Sequence, residues 1–284
     1  TAESNAFQGQ TDLPPSDQQD KALIEFEELV RALRDSGICV FVIDDSPVPH
    51  TPDSVFPNNW ISFHADGRVV LYPMEAENRR AERRTDIFNI LDYPVRELID
   101  LSRHELDGHF LECTGSLVLD RVNHIAYACL SSRTQLDPMG DFAQQMGYEV
   151  VAFEAVDRDG IPIYHTNVLM SVGEALAVVC DEAIPREDQR TAVLQRLRDT
   201  GHDILSIDYD QLDAFAGNML ELRNRDGDRV VALSRRAYEA LSEEQRERLE
   251  QNGKIVVASI DTIEASAGGS VRCMLAEVHF PESA

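Results

Sequence analysis

The sequence predicts an α/β fold, a five-bladed α/β propeller made of strand-strand-helix-strand repeats and forming one catalytic domain over residues 1–284. Three observations predict it. Polar residues at matching phase, Asn59, Glu112, His165 and Asn218, recur every 53 residues, and one more step falls two short of Cys273. Each is followed by the same succession of apolar run, turn, apolar run, helical stretch and apolar run. A fifth copy is divided between the two ends of the chain. A unit of about 50 residues cannot bury its apolar face alone and stacks on its neighbours, and a copy split between the termini closes a ring.

In chain order, residues 1–19 are polar, carry Pro14-Pro15 and read as a loop or frayed arm. Asp20 to Ser36 places Leu23, Phe26, Leu29, Val30 and Leu33 on one helical face, stopped by Gly37, before a buried-strand run from Ile38 to Ile43. The first full repeat has a hairpin, Trp60 to Phe63 and Val69 to Tyr72 around Asp66-Gly67, and then an Arg/Glu-rich helix from about Arg79 to Leu98. The second has strands at 115–120 and 124–130, a helix at 135–146 and a strand at 148–153. The third has strands at 165–171 and 175–180, a helix at 185–199 with Pro185 in its first turn, and a strand at 204–207. The fourth has strands at 219–222 and 229–234, a helix at 242–250 and a strand at 255–260. The split fifth unit is strand 274–280 with the N-terminal helix and strand 38–43. Its second hairpin strand is missing, so the natural chain is expected to begin before Thr1.

Composition excludes several classes of function. A net charge of −25 repels nucleic-acid backbones and anionic membranes. No apolar run approaches the roughly 18 residues of a membrane span, and Thr1 to Asn5 lacks signal-peptide features, so the expectation is a cytoplasmic protein. Only Lys21 and Lys254 are lysines among 26 basic residues. An acidic, lysine-poor chain fits a halophilic source, or a GC-rich genome favouring arginine codons. Five cysteines, odd in number and without a C-x-x-C, argue against a disulfide framework or a zinc site. Cys39, Cys113, Cys129 and Cys180 lie in apolar runs and read as packing. No metal and no cofactor is expected, and homo-oligomerisation is left open.

Cys273 differs from the other four. It follows the chain's Gly268-Gly269 pair, whose backbone can take positive φ and admit a ligand closely. If the repeats close around an axis, Asn59, Glu112, His165, Asn218 and Cys273 meet near it. Cysteine with histidine is the pairing for nucleophilic attack at an sp² carbon with proton shuttling, and a glutamate can hold a substrate N–H. Asn218 alternatively satisfies only turn hydrogen bonds.

Four segments together resemble the guanidine-modifying (pentein, amidinotransferase-like) superfamily. They are Pro52 to Trp60, Leu111 to Ser116, His165-Thr166-Asn167 and Gly268 to Met274. The resemblance covers essentially the whole chain and implies Cys273 as nucleophile, His165 as general acid/base and Glu112 as the carboxylate on substrate nitrogen. It implies substrate contacts from Asp53, Asn58, Asn59 and Asn167. Asn58 and Asn59 stand where dimethylarginine-hydrolysing members carry Glu and Asp, and Asn167 stands where arginine deiminases carry Asp. This pattern is most similar to the citrulline-utilisation hydrolases, as are Tyr72-Pro73-Met74 and Asn78-Arg79-Arg80. Arg79 or Arg80, with Arg133, would then grip an amino-acid carboxylate; Arg79 and Arg80 alternatively belong to a solvated helix face. The expectation is hydrolysis of citrulline. The alternatives are an arginine deiminase-like or dimethylarginine-type hydrolase, and a non-catalytic amino-acid-binding propeller.

Overall fold

The computed structural model describes residues 15–45, 48–49 and 51–281. It is an α/β fold with four three-stranded sheets, one per predicted full repeat. They comprise β1 (Ile61–Phe63), β2 (Arg68–Leu71) and β3 (Glu97–Asp100); β4 (Val118–Asp120), β5 (Ile125–Cys129) and β6 (Glu149–Phe153); β7 (Met170–Val172), β8 (Leu176–Val179) and β9 (Asp203–Ser206); and β10 (Leu220–Arg223), β11 (Arg229–Ser234) and β12 (Lys254–Ala258). In each the first two strands form an antiparallel hairpin. The third returns beside the second, parallel to it in the pairs β2–β3, β8–β9 and β11–β12. A parallel return needs a crossover, and the helices Glu187–Asp199 and Glu243–Asn252 supply it in the last two sheets, while helix Leu136–Met146 connects β5 to β6.

Local chemistry explains these elements. Gly67 turns the β1–β2 hairpin at φ +87°, and a Cβ there would come within 2.7 Å of the Arg96 side chain. Ser242 and Gln245 form a reciprocal capping box on helix Glu243–Asn252, and Asp208 with Gln211 does the same for the short helix Tyr209–Asp213.

The chain divides into two compact units. One comprises residues 1–40, 153–163 and 167–272; the other comprises 41–152, 164–166 and 273–284. In the first, helix Pro15–Asp35 packs on β12 and on helix Asp261–Ala267, and Glu25 accepts the N–H groups of Thr262 and Ile263 at the start of that helix. The second carries two buried clusters. Trp60, Phe63, Leu71 and Tyr93 build one, and Tyr72, Leu101, Phe142 and Tyr148 the other.

Several expectations are corrected. The helix predicted over 79–98 is a 3-10 turn, Glu77–Glu82, a single α turn, Ile87–Ile90, and strand β3. Arg79 with Glu82 and Arg80 with Glu77 pair three residues apart within the 3-10 turn, while Arg80 and Arg83 also reach Glu105 beyond it. Strands expected to begin at 115 and 165 are preceded by helical turns, Cys113–Ser116 and Thr166–Leu169. Neither 38–43 nor 274–280 enters a strand: a strand exists only through its ladder, and no described residue pairs with either. Phe41 and Cys39 are therefore exposed, so Cys39 is not core packing. Leu23 is exposed as well, and the N-terminal helix buries its face only from Leu29 onward. The helix begins at Pro15, inside the stretch read as a loop; the rest of that reading, over 1–14, lies outside the described residues. No described helix is long and apolar enough to cross a membrane.

Phe142 is fully buried, with its ring 5.3 Å from Tyr148 and 6.0 Å from Tyr72. Phe142→Ala should cost about 3–5 kcal/mol in urea unfolding, whereas Leu106→Ala, on a side chain 90% exposed, should change it by less than about 0.5 kcal/mol. Equal effects would remove Phe142 from the core.

Candidate active site

The site in the second unit is built on a tight turn. Helical turn Cys113–Ser116 follows Glu112, whose own N–H donates to the Arg133 carbonyl (3.2 Å) and to Ser116 Oγ (2.9 Å). Ser116 Oγ in turn donates to the same Arg133 carbonyl at 2.8 Å. These bonds fix the backbone from which the Glu112 carboxylate projects. Thr166 donates its hydroxyl to the Ser116 carbonyl and accepts the Cys129 N–H at 2.8 Å, which anchors the residue after His165 onto the Glu112 turn. His165 Nε2 and Glu112 Oε2 lie 2.8 Å apart, both side chains buried.

The protonation states follow from competing effects. Burial pushes the Glu112 carboxyl up, but the His165 hydrogen bond and the Arg133, His165 and Arg79 charges outweigh it and hold it at about 2. Burial lowers the His165 imidazole despite that bond, with Arg133 and Arg79 adding to the lowering. Glu112 is thus ionised and His165 neutral, so Nε2 carries the proton donated to Glu112. His165 also stacks against Tyr164, with ring centroids 4.7 Å apart. Burial raises the Tyr164 phenol, and negative charge on Cys273 is the next cause. Cys273 lies in a turn and is 6% exposed. Burial pushes the Cys129 and Cys180 thiols up to about 12.

The first motif packs beside this pair. The 3-10 turn Pro57–Asn59 contacts the Cys113–Ser116 turn, and the Asn58 carbonyl accepts the Thr114 hydroxyl at 3.1 Å. Asn58 is completely buried, yet neither its side-chain oxygen nor its nitrogen has a hydrogen-bond partner; the same holds for Asn59 Oδ1. An unpaired buried amide is costly, so these atoms point to a ligand. Gly115 keeps the region open: a Cβ there would sit 2.7 Å from Asn59 Oδ1 and 2.8 Å from His165 Nδ1.

The arginines are already engaged. Arg79 is buried, gives two bonds of 2.9 Å to Glu82, and lies 4.0 Å from Asp53. That is not a solvated helix face. Arg80 is half-buried, donates to the Met74 carbonyl and lies 3.4 Å from Glu105. Arg133 reaches Glu75 with Nε (3.1 Å) and Glu112 with Nη1 (3.4 Å), its guanidinium 5.1 Å from the Tyr164 ring centre. In the first unit, Asn218 donates to the Asn167 carbonyl (2.9 Å) and accepts the Arg272 N–H (3.1 Å), the turn-bonding alternative. Asn167 is buried on the turn after His165. Glu75, Gly115, Tyr164 and Thr166 were not singled out from sequence, although Gly115 and Thr166 lie inside motifs that were.

A profile of the family described as N,N dimethylarginine dimethylhydrolase, eukaryotic, matches residues 1–280. A search of curated proteins finds no match. Among solved structures, apo ArgZ, an arginine dihydrolase from the ornithine-ammonia cycle in cyanobacteria, is similar with a TM-score of 0.72 at 19% identity, over 93% of this chain and 36% of that one. The chain thus spans about a third of ArgZ. The N-terminal domain of ArgZ, as a cysteine-to-serine variant bound to substrate, gives 0.72 at 18% identity, over 93% of this chain and 88% of that one. A dimethylarginine dimethylaminohydrolase adduct with 4-chloro-2-hydroxymethylpyridine gives 0.62 at 17% identity, over 90% of each chain. These likenesses show a shared fold.

Two outcomes test the site. Gly115→Ala should lower kcat/KM at least about 100-fold by moving Asn59 and His165 off position, more than its loss of melting temperature can explain. The second is acid stability. With His165 held below its ordinary 6.5, the unfolded chain takes up that proton first, so stability is present above about 6.5 and falls as pH drops below it. Glu112, lowered from 4.5 to about 2, adds a further loss as pH falls between those values. Glu112→Gln should flatten that lower portion of the stability profile in denaturant titrations, and an unchanged slope would mean that Glu112 is not the ionised partner.

Proposed function

The chain belongs to the N,N-dimethylarginine dimethylhydrolase family, and from its site we propose a cysteine-dependent hydrolase that cleaves a C–N bond of a ureido amino acid, citrulline first. The observation that carries the ureido reading is Asn58, fully buried with both ends of its amide unpartnered. A neutral ureido group offers a carbonyl to the amide N–H and N–H groups to the amide oxygen. A guanidinium, by contrast, needs ionised partners, and the carboxylates of this region already face the protein's own guanidinium groups. Asp53 and Glu82 share Arg79, and Glu112 and Glu75 share Arg133. A guanidino substrate is the second reading, supported by the family's name, by arginine dihydrolases of the same fold, and by the carboxylates of Asp53 and Glu112.

In the proposed reaction Cys273 Sγ attacks the ureido carbon while neutral His165 takes up the thiol proton. His165 then returns it to the departing ornithine nitrogen as the C–N bond breaks, leaving a carbamoyl thioester on sulfur. Water activated by His165 attacks that carbon, the C–S bond breaks, and the carbamate released yields carbon dioxide and ammonia. Glu112 holds a substrate N–H and keeps His165 oriented. A cysteine-to-serine ArgZ domain bound to substrate supports the role of Cys273 by analogy. The five-bladed closure belongs to this proposal as well, supported by four sheets of one topology and by the family match.

Citrulline, arginine and dimethylarginine should be compared by kcat/KM. Citrulline should lead by a factor of about 10⁴, the size reached when a hydrogen-bonding site faces mismatched donors. Cys273→Ser should abolish turnover with the fold intact, and His165→Ala should lower it by about 10²–10⁴-fold. A wild-type preference for arginine or dimethylarginine would replace the ureido reading with the guanidino one.

A further inference from the structure

Glu75 lies between Met74 and the 3-10 turn Glu77–Glu82 and touches the site from both ends of the residue. Its N–H donates to Glu112 Oε1 at 3.2 Å, while its carboxylate accepts from Arg133 Nε at 3.1 Å. Glu112 Oε2, the other oxygen, already takes His165 (2.8 Å) and Arg133 (3.4 Å). Of the carboxylates on Arg133, that of Glu112 is fully buried and that of Glu75 is 25% exposed, so Glu75 is the one an incoming ligand can displace. The segment is held from outside: Arg80 donates to the Met74 carbonyl (3.0 Å) and the Glu75 carbonyl (3.4 Å), and Glu105 accepts the Met74 N–H (2.7 Å).

We propose that Glu75 is a positioning residue that latches the free enzyme, its carboxylate occupying Arg133 in place of a substrate carboxylate while its N–H occupies the Glu112 oxygen meant for a substrate N–H. This rests on the amino-acid-hydrolase reading above. A ligand carboxylate that displaces Glu75 from Arg133 pulls the 74–76 segment away, and Glu112 Oε1 is freed for the reacting head group. Recognition of the tail is thereby coupled to readiness at the head, and a ligand without a carboxylate leaves the latch shut. The apparent affinity for carboxylates is reduced by the fraction of enzyme that is latched.

The test is calorimetric binding of ornithine and of putrescine, which lacks the carboxylate, to the full chain as wild type, Glu75→Gln and Glu75→Ala. Ornithine should tighten about 10-fold in both variants, within the usual range of such couplings, and putrescine should not tighten. Removing a negative charge would by itself weaken both cations, so the expected gain for ornithine has the opposite sign. Unchanged or weaker ornithine binding, equal tightening of putrescine, or no ornithine binding to any of the three proteins overturns the latch. Binding does not depend on turnover: a wild type inactive on citrulline, arginine and dimethylarginine whose Glu75 variants still gain ornithine affinity would refute the hydrolase reading and retain the latch.

Discussion

The 2.8 Å contact between Glu112 and His165 is the constraint on which the second unit depends. A carboxylate removed from water is tolerated only when it is paired and hydrogen-bonded, and an imidazole beside it must be supported in turn. The surrounding structure meets both needs. Arg133 supplies charge and, through its carbonyl, fixes the Glu112 backbone; Ser116 ties the two together, and Thr166 ties His165 to the same turn. Removing any of these leaves a buried charge or donor exposed to nothing. That is why ionisable side chains such as Glu112, His165 and Arg133 can be buried here.

The 53-residue period places residues at equivalent points of each repeat but does not assign their work. Asn59 presents an unpartnered oxygen, Glu112 an ionised carboxylate, and His165 a neutral ring, whereas Asn218 closes backbone bonds to Asn167 and Arg272. One topological position therefore carries an unpartnered amide, an ionised carboxylate, a neutral ring and a paired amide in different copies. A hairpin followed by a crossover returns the chain to that point each time, and the local partners decide the rest.

The period and the alternating runs made the four sheets legible, because a three-stranded unit with one buried face writes its pattern over consecutive residues. Helices Leu136–Met146, Glu187–Asp199 and Glu243–Asn252 were legible for the same reason. Where pairing is long-range the sequence was silent. The run from Ile38 to Ile43 has the composition of a buried strand, but a ladder partner cannot be read from composition, and Phe41 faces solvent. Arg79 to Leu98 looked helical because its arginines and glutamates fall at pairing distances along a helix. Arg79 does pair with Glu82 three residues on, but within a 3-10 turn, and Asp53 and Glu105 are met across loops. The chemistry of Glu112, His165 and Cys273 stood out as reactive residue types at one phase. Glu75 carried no such mark, since its partners lie 37 and 58 residues away.

The scarcity of lysine gains a local explanation at two buried positions. Arg79 donates from Nε and Nη2 to Glu82 while lying beside Asp53; Arg133 reaches Glu75 with Nε and Glu112 with Nη1, and its flat face lies over Tyr164. A planar fork can face two carboxylates in fixed directions and stack on a ring at once, and it cannot give up its proton when buried. An ammonium offers a single point of charge and sheds its proton readily in an apolar setting. Exposed pairs such as Arg235 with Asp261 make no such demand, and each is worth no more than about 1 kcal/mol. Codon usage or salt adaptation can account for arginine on the surface, but at Arg79 and Arg133 the geometry of shared carboxylates requires it.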